Sequence, residues 1–195
     1  MSRRPTSTEI DESILDSAAS FFARRGVKET AIQAIADDVA YSKAAVLQRF
    51  GTKALLLERV IARCAQLSDD LVASVADLPP GSARDELAVA RLTDIALANP
   101  GFVAMLIGAA TNQRGTELAV GMERVGQTAL RAFGIEDWDS PARDVDRIVR
   151  VAGCLGAVSV LASVYQGYLS RDVVRPRIIA AAFGALHGPA PTGGY

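Results

Sequence analysis

Histidine is nearly absent from this chain of 195 residues, which has only His187, close to its end. A serine–histidine relay needs an imidazole inside a folded region, and a histidine-based metal site needs several. No glycine-rich phosphate loop follows a predicted strand. We therefore expect no enzymatic activity, no metal and no cofactor, and we expect His187 to be solvated at a helix end.

Cysteine is also scarce, with Cys64 and Cys154 ninety positions apart and in neither a metal-binding nor a redox motif. This usage is typical of a cytoplasmic protein with two reduced, buried thiols. The first residues, 1–9, lack the apolar core of a signal peptide. The sequence therefore predicts a cytoplasmic protein.

Lysine occurs three times, and all three residues lie in the first part of the chain: Lys28, Lys43 and Lys53. Residues 1–65 contain ten basic and eight acidic side chains, a formal charge of +2, whereas residues 66–195 contain eleven and fourteen, a charge of −3. The asymmetry permits a basic patch near the N-terminus, but it excludes a strongly basic domain.

Hydrophobic residues make up 50% of the chain, enough for a sizeable core. Their spacing is helical, and no strand pattern or internal repeat occurs. One stretch, residues 151–170, has no charge and is long enough to span a bilayer. Its serines, glutamine and tyrosines favour a buried helix at a subunit interface. The sequence therefore predicts an all-α protein of about nine helices that does not enter a membrane.

The most informative segment is residues 26–53, which predict two short helices joined by a tight turn. Gly26 ends a first helix that begins near Thr8, and Thr30 is placed to cap the second helix, with Gln33 as its partner. After the turn at residues 40–41, Ser42 is placed to cap a third helix that ends near Phe50. In such a unit the later helix can lie in the major groove of DNA while the earlier one crosses the backbone.

This segment resembles the DNA-binding domain of the TetR family of transcriptional regulators, over about residues 10–60. The resemblance implies a homodimeric repressor, in a bacterial cytoplasm, that binds a palindromic operator on double-stranded DNA and is released by a small-molecule effector. It rests on an aromatic residue in helix one and on the order of the residues that follow: Phe22, Gly26, Val27, Thr30, Ile32, Ile35, Ala36, Ser42, Lys43, Phe50, Thr52 and Lys53.

Small and polar residues dominate the third helix, as a helix that enters a groove requires. Lysine, glutamine and arginine side chains can donate to base edges or phosphates, and residues at helix N-termini can meet phosphate. The residues predicted to bind DNA are Thr30, Ser42, Lys43, Ala44, Ala45, Gln48, Arg49 and Lys53.

Three positions depart from the family pattern. Ala40 stands where the turn commonly has glycine, Leu47 where a tyrosine usually contacts phosphate, and Ala31 where a hydroxyl residue is usual. These changes leave open a second interpretation, in which the chain is a helical interaction or scaffold protein that has lost specific DNA binding.

The domain organisation that follows is a DNA-binding domain at residues 1–53, a helical regulatory and dimerisation domain at residues 54–187, and a flexible tail at residues 188–195. Small side chains on the penultimate helix and an apolar stripe on the last one suit a four-helix bundle between two subunits, although both could also pack within one subunit. The residues predicted at the dimer interface are Gly153, Gly156, Ala157, Val160, Ile179, Phe183 and Leu186.

A mixture of apolar and polar residues on the central helices is typical of small-molecule cavities, although each residue could equally belong to an ordinary core. No charged cluster accompanies them, which favours a hydrophobic or neutral effector. The residues predicted to line the pocket are Phe102, Met105, Leu106, Asn112, Gln127, Trp138, Tyr165 and Gln166.

Overall fold

The computed structural model describes residues 4–111, 117–137, 140, 142–165 and 167–188; over these residues it has nine α-helices and no strand. The predicted all-α class is confirmed. The helices are α1 (Ser7–Arg25), α2 (Ile32–Asp38), α3 (Lys43–Phe50), α4 (Lys53–Ser74), α5 (Ser82–Ala98), α6 (Pro100–Thr111), α7 (Glu117–Arg131), α8 (Val145–Tyr165) and α9 (Arg171–His187).

Helix boundaries follow local capping chemistry. α1 begins at Ser7, next to the predicted start near Thr8, and Thr6 is its N-cap: Thr6 Oγ1 accepts from the Glu9 amide, and Glu9 Oε2 accepts from the Thr6 amide. α8 begins at Val145, since the carboxylate of Asp144 accepts from the Arg147 amide at 2.9 Å.

The chain divides into two compact units. The first comprises Met1–Ser68 and Asn99–Gly126, and the second comprises Asp69–Ala98 and Gln127–Tyr195. The division falls within α4, between α5 and α6, and within α7. The predicted functional boundary at residue 53 stays a prediction.

The first unit has one apolar core, to which α1, α2, α3, α4, α6 and α7 all contribute. α1 and α6 pack closely along their lengths, and the core side chains are almost fully inaccessible to solvent. Its members include Ile14, Phe22, Ile35, Val46, Leu56, Val60, Phe102 and Met105. This packing fixes the short helices α2 and α3, which are too short to be stable alone.

The second unit is organised around α8 and α9, which pack on each other and on α5. Asp85, in the first turn of α5, is buried and accepts two hydrogen bonds from Arg147, at 2.6 and 3.0 Å. The Nε2 atom of His187 lies 2.9 Å from the same carboxylate. His187 is exposed at the end of α9, as expected, but its contact with a carboxylate on a helix distant in sequence was not predicted.

Among the described residues, the helix Val145–Tyr165 has the length and mean hydropathy, 1.8, of a candidate membrane span, and only 22% of it is buried within the chain. Serine and glycine interrupt its apolar side chains. Its exposed residues alternate with Val151, Cys154 and Val158, which are buried in the second unit. α8 therefore has one face packed within the chain and one apolar face open.

Candidate nucleic-acid interface

The turn between α2 and α3 is held by backbone hydrogen bonds and by a left-handed residue. The Tyr41 amide donates to the carbonyl of Ala36 at 2.9 Å, and Ala40 has φ 57°. Ile35 and Val46 are buried on either side of the turn. The turn is therefore closed without the glycine that the family pattern commonly has here, at the cost of backbone strain at Ala40.

α3 presents a polar face to solvent, above one buried anchor. Ser42 Oγ accepts from the Ala45 amide at 3.1 Å and caps the helix as predicted. Val46 is 0% exposed and holds α3 to the core. Of the residues predicted to read DNA on this helix, Ala45 is half-buried and the remaining ones are exposed: Ser42, Lys43, Ala44, Gln48 and Arg49.

The two cationic side chains of α3, Lys43 and Arg49, differ in whether they have a partner within the chain. Within the part of the chain that the structure describes, Lys43 has no hydrogen-bond or ion-pair partner. Arg49, in contrast, is paired with α1: its Nη1 atom lies 2.5 Å from Asp11 Oδ1 and donates to Ser7 Oγ at 3.1 Å. Sequence reasoning missed this pair, since its members are 38 positions apart.

The side chains of Lys53 and Thr30 donate hydrogen bonds to backbone carbonyls within the first unit. The ammonium of Lys53 donates to the carbonyl oxygens of Lys28 and Thr30, at 2.8 and 3.0 Å. Thr30 is 2% exposed, and its hydroxyl donates to the carbonyl of Gly26 at 2.8 Å. The prediction that Thr30 caps α2 was wrong, because the N-cap is Ala31, which has no side chain able to accept. A DNA contact from the Thr30 side chain stays a prediction, and its burial argues against it.

α1 connects the helix-turn-helix to the rest of the first unit. Asp16 accepts from the amides of Gly101 and Phe102 at the start of α6, at 2.9 and 3.2 Å, and Ser17 donates to Asp38 of α2 at 2.7 Å. Burial raises the pKa of the Asp16 carboxyl, and the two amides partly offset that rise. A Cβ on Gly101 would lie 1.8 Å from the backbone oxygen of Asp16, so only glycine permits this approach of α6 to α1.

Both cysteines are buried and reduced, as predicted. Burial raises the pKa of each thiol to about 12, with the nearby carboxylates Asp16 for Cys64 and Asp85 for Cys154 adding to the effect. Neither thiol forms the reactive thiolate near neutral pH. They act as small apolar side chains.

The described residues among those predicted to line an effector pocket are divided between the two compact units. Phe102 and Met105 are buried in the core of the first unit, and Leu106 packs against that core. Gln127 and Tyr165 belong to the second unit, where Tyr165 is 39% exposed. Three others lie outside the described residues: Asn112, Trp138 and Gln166.

The residues predicted at the dimer interface differ in accessibility. Leu186 is 2% exposed, so its side chain is used within the chain rather than being available to a partner. Ala157, Ile179 and Phe183 are half-buried. On α8 the exposed members are Gly153, Gly156 and Val160.

Comparison with known proteins places these features in context. Residues 14–60 match the profile described as "Bacterial regulatory proteins, tetR family". That range contains α2, the turn, α3 and the start of α4. A comparison with curated proteins found no match.

Several solved structures share the fold. A TetR-like transcriptional regulator from Rhodococcus sp. RHA1 is 20% identical, with a TM-score of 0.56 over 95% of this chain and 100% of that one. The fatty acid degradation regulator FadR from Bacillus halodurans is 13% identical, with a TM-score of 0.53 over 95% and 98%. A TetR-family regulator from Mesorhizobium loti is 16% identical, with a TM-score of 0.52 over 94% and 98%.

Proposed function

Because residues 14–60 make this chain a member of the TetR family of DNA-binding transcriptional regulators, we propose that it is a homodimeric repressor of a palindromic operator. A small hydrophobic or neutral molecule releases it from the DNA. The observation that carries the DNA-binding part of this proposal is the exposed polar face of α3 above the buried Val46.

The proposed reading surface consists of the exposed part of α3 and its cap. Lys43 supplies a free positive charge near the start of the helix, and Gln48 supplies an amide that can pair with adenine. Ala44 and Ala45 have side chains small enough to let the helix approach the base edges. Ser42 and Lys53 lie at helix N-termini, where phosphate contacts are common.

A homodimer is proposed because one α3 reads only half of a palindrome. Two recognition helices must be about 34 Å apart to enter successive major grooves. The open apolar face of α8, with Gly153, Gly156 and Val160, is the surface that supports this association.

Release by an effector follows if the effector binds more tightly to a conformer whose two α3 helices are wrongly spaced. It then lowers DNA affinity by its differential affinity for that conformer. The apolar character of Phe102, Met105 and Leu106 supports a hydrophobic or neutral molecule, although the first two are packed in the core.

A second candidate function is a scaffold without specific DNA binding. It is favoured by one observation: the cations of Arg49 and Lys53 are both engaged within the first unit, and Leu47 offers no phosphate donor. A duplex selected from a random pool separates the candidates, because a scaffold enriches no sequence.

Substitutions on α3 test the proposed surface. We expect Gln48→Ala to weaken the free energy of binding to the selected duplex by about 1–3 kcal/mol, and that to a scrambled duplex by less, because it removes base recognition. Lys43→Ala should weaken binding to both duplexes by the same factor and lower the salt dependence of binding by about one, because it removes a positive charge that meets a phosphate. Fluorescence anisotropy over a range of salt concentrations measures both.

Arg91→Ala is the matched control for Lys43→Ala, since it removes an exposed positive charge from α5 in the second unit. It should leave both affinities within about twofold, since Arg91 lies outside the segment that matches the family's DNA-binding profile. Unchanged binding in the two α3 variants would exclude this helix as the reading element.

A further inference from the structure

We infer that Asp11, which lies on α1 outside the helix-turn-helix, is an internal counter-ion that lowers the affinity of the reading surface for DNA by masking Arg49. The inference rests on the proposed function and adds a residue that sets binding strength. It begins from the contact between the Arg49 guanidinium, the Asp11 carboxylate and the Ser7 hydroxyl.

The contact is built by the fold and is open to water. Its two acceptors belong to the first two turns of α1, and both meet the same Nη1 atom of Arg49. The side chains of Arg49 and Asp11 are 30% and 41% exposed. A phosphate oxygen could therefore reach the guanidinium, but it would have to compete with a carboxylate already in place.

Arg49 differs in this respect from the other two cations proposed for the surface. Lys43 has no partner within the described part of the chain. Lys53 donates to two neutral carbonyl oxygens, so its positive charge is not compensated. Among the residues that the structure describes, Arg49 alone of these three faces a formal negative charge.

The thermodynamic consequence follows from anion exchange. When an unpaired arginine binds phosphate, counter-ions leave the DNA and the entropy gain drives binding. When Arg49 binds phosphate, it gives up Asp11, and the carboxylate is left beside a polyanion. Arg49 therefore adds little to the affinity of the natural protein and little to its salt dependence.

A double-mutant cycle on a duplex selected by the natural protein tests this inference. We expect Asp11→Asn to tighten binding about fivefold, the upper range for an exposed ion pair, and to steepen the salt slope by about one. Arg49→Gln should change the affinity of the natural protein by less than about twofold, yet weaken the Asp11→Asn variant about fivefold.

Glu12→Gln is the matched charge control. It removes the same charge one residue further along α1 and breaks a comparable pair, since Arg63 Nε lies 2.7 Å from Glu12 Oε2. Arg63 is ten residues beyond Lys53 on α4, or about 15 Å along the helix axis, which exceeds the Debye length of about 10 Å at 0.1 M salt. Affinity should therefore stay within about twofold.

Ser7→Ala separates charge masking from geometric positioning. It removes the neutral hydrogen bond to Arg49 and keeps the pair with Asp11, so affinity should stay within about twofold. Ser7→Ala could instead weaken binding about fivefold, which is the loss expected for Arg49→Gln in the Asp11→Asn variant. Arg49 must then be held in place to bind DNA, and charge masking by Asp11 is overturned. Unfolding midpoints of all variants report whether the fold is retained.

The outcomes distinguish the inference from the function beneath it. If the natural protein enriches no duplex, the proposed function fails and the inference falls with it. If the natural protein binds its duplex but Asp11→Asn behaves like Glu12→Gln, only the inference is overturned. It is also overturned if Arg49→Gln weakens binding equally in both backgrounds.

Discussion

Ala40 has a backbone conformation that residues with a Cβ rarely adopt, with φ 57° in the turn before α3. The left-handed region costs such residues about 1–2 kcal/mol, whereas glycine enters it freely. The strain lies beside the proposed reading helix. It is compatible with a closed turn because the amide of Tyr41 still reaches its acceptor on α2.

We expect Ala40→Gly to raise the free energy of unfolding by about 1 kcal/mol, because it removes this strain. Ala62→Gly, at an exposed position within α4, is the control and should lower it by about 1 kcal/mol. Urea denaturation followed by circular dichroism measures both. A destabilising Ala40→Gly would show that the turn tolerates alanine without cost.

At this scale, local chemistry made some residues predictable and others not. The Ser42 hydroxyl accepts from the Ala45 amide, and the Gly26 amide donates to the Phe22 carbonyl. Both partners lie within four residues, so the roles of helix cap and helix stop were predicted correctly. Thr30 and Arg49 have partners that depend on how other segments pack. Their hydroxyl and guanidinium groups look free in the sequence, but the fold uses both.

A polar cluster in the second unit joins α5 to α9. Arg175 donates two hydrogen bonds to Asp94, at 2.7 and 2.8 Å, and Arg171 donates a third at 2.8 Å. Hydrogen bonding from Arg175, and then from Arg171, lowers the pKa of Asp94 to about 2 despite its partial burial. The ionised carboxylate therefore stabilises the folded state.

We expect Asp94→Asn to destabilise the protein by about 1–2 kcal/mol near neutral pH, a figure reduced for solvent access to both arginines. Because the folded pKa is depressed, this contribution is present above the ordinary value of 3.8 and is lost as the pH falls through about 2. The difference in unfolding free energy between the natural protein and the variant should narrow across that window.

Asp69→Asn provides the control for this titration, since it replaces an exposed carboxylate on α4. Its stability should follow that of the natural protein at every pH. A pH-independent difference for Asp94→Asn would mean that the substitution acts through packing rather than through charge.

Among whole elements, the existence and order of the helices were predictable from apolar spacing and caps. The start of α8 was not, because Ser140 and Asp144 are both acceptable caps and tertiary contacts of Arg147 favour the second. Nor did the sequence indicate that residues 99–126 form a compact unit with the N-terminal helices. That grouping depends on long-range contacts between α1 and α6.

At the scale of the molecule, the distribution of exposed apolar side chains argues for a partner of the same kind. The larger ones of the second unit lie on α8, at the start of α9 and in the segment between them: Val145, Val149, Val160, Val164, Tyr165, Tyr168, Leu169 and Val173. Exposed apolar side chains gathered on neighbouring elements are typical of protein–protein contact surfaces. A second copy would cover it with an identical surface.

We expect Val160→Glu to convert the proposed dimer into monomers, because it places a charge on a residue that is 49% exposed and needs no space in the core. Affinity for the selected palindrome should fall by about 100-fold or more, since the two half-sites are then bound independently. Sedimentation velocity and anisotropy measure the two effects.

Val120→Glu makes the same substitution at a valine that is 63% exposed on α7, in the first unit. It should leave both the sedimentation coefficient and the DNA affinity unchanged. If the Val160→Glu variant remains dimeric, the dimer interface lies elsewhere on the surface.

Gly101 has a genetic consequence. Every other amino acid carries the carbon atom for which there is no room against Asp16, so each missense codon at this position forces two backbones apart. A mutagenesis screen for loss of regulation should therefore recover almost any change there. At an exposed site such as Ala62, the same screen should recover few.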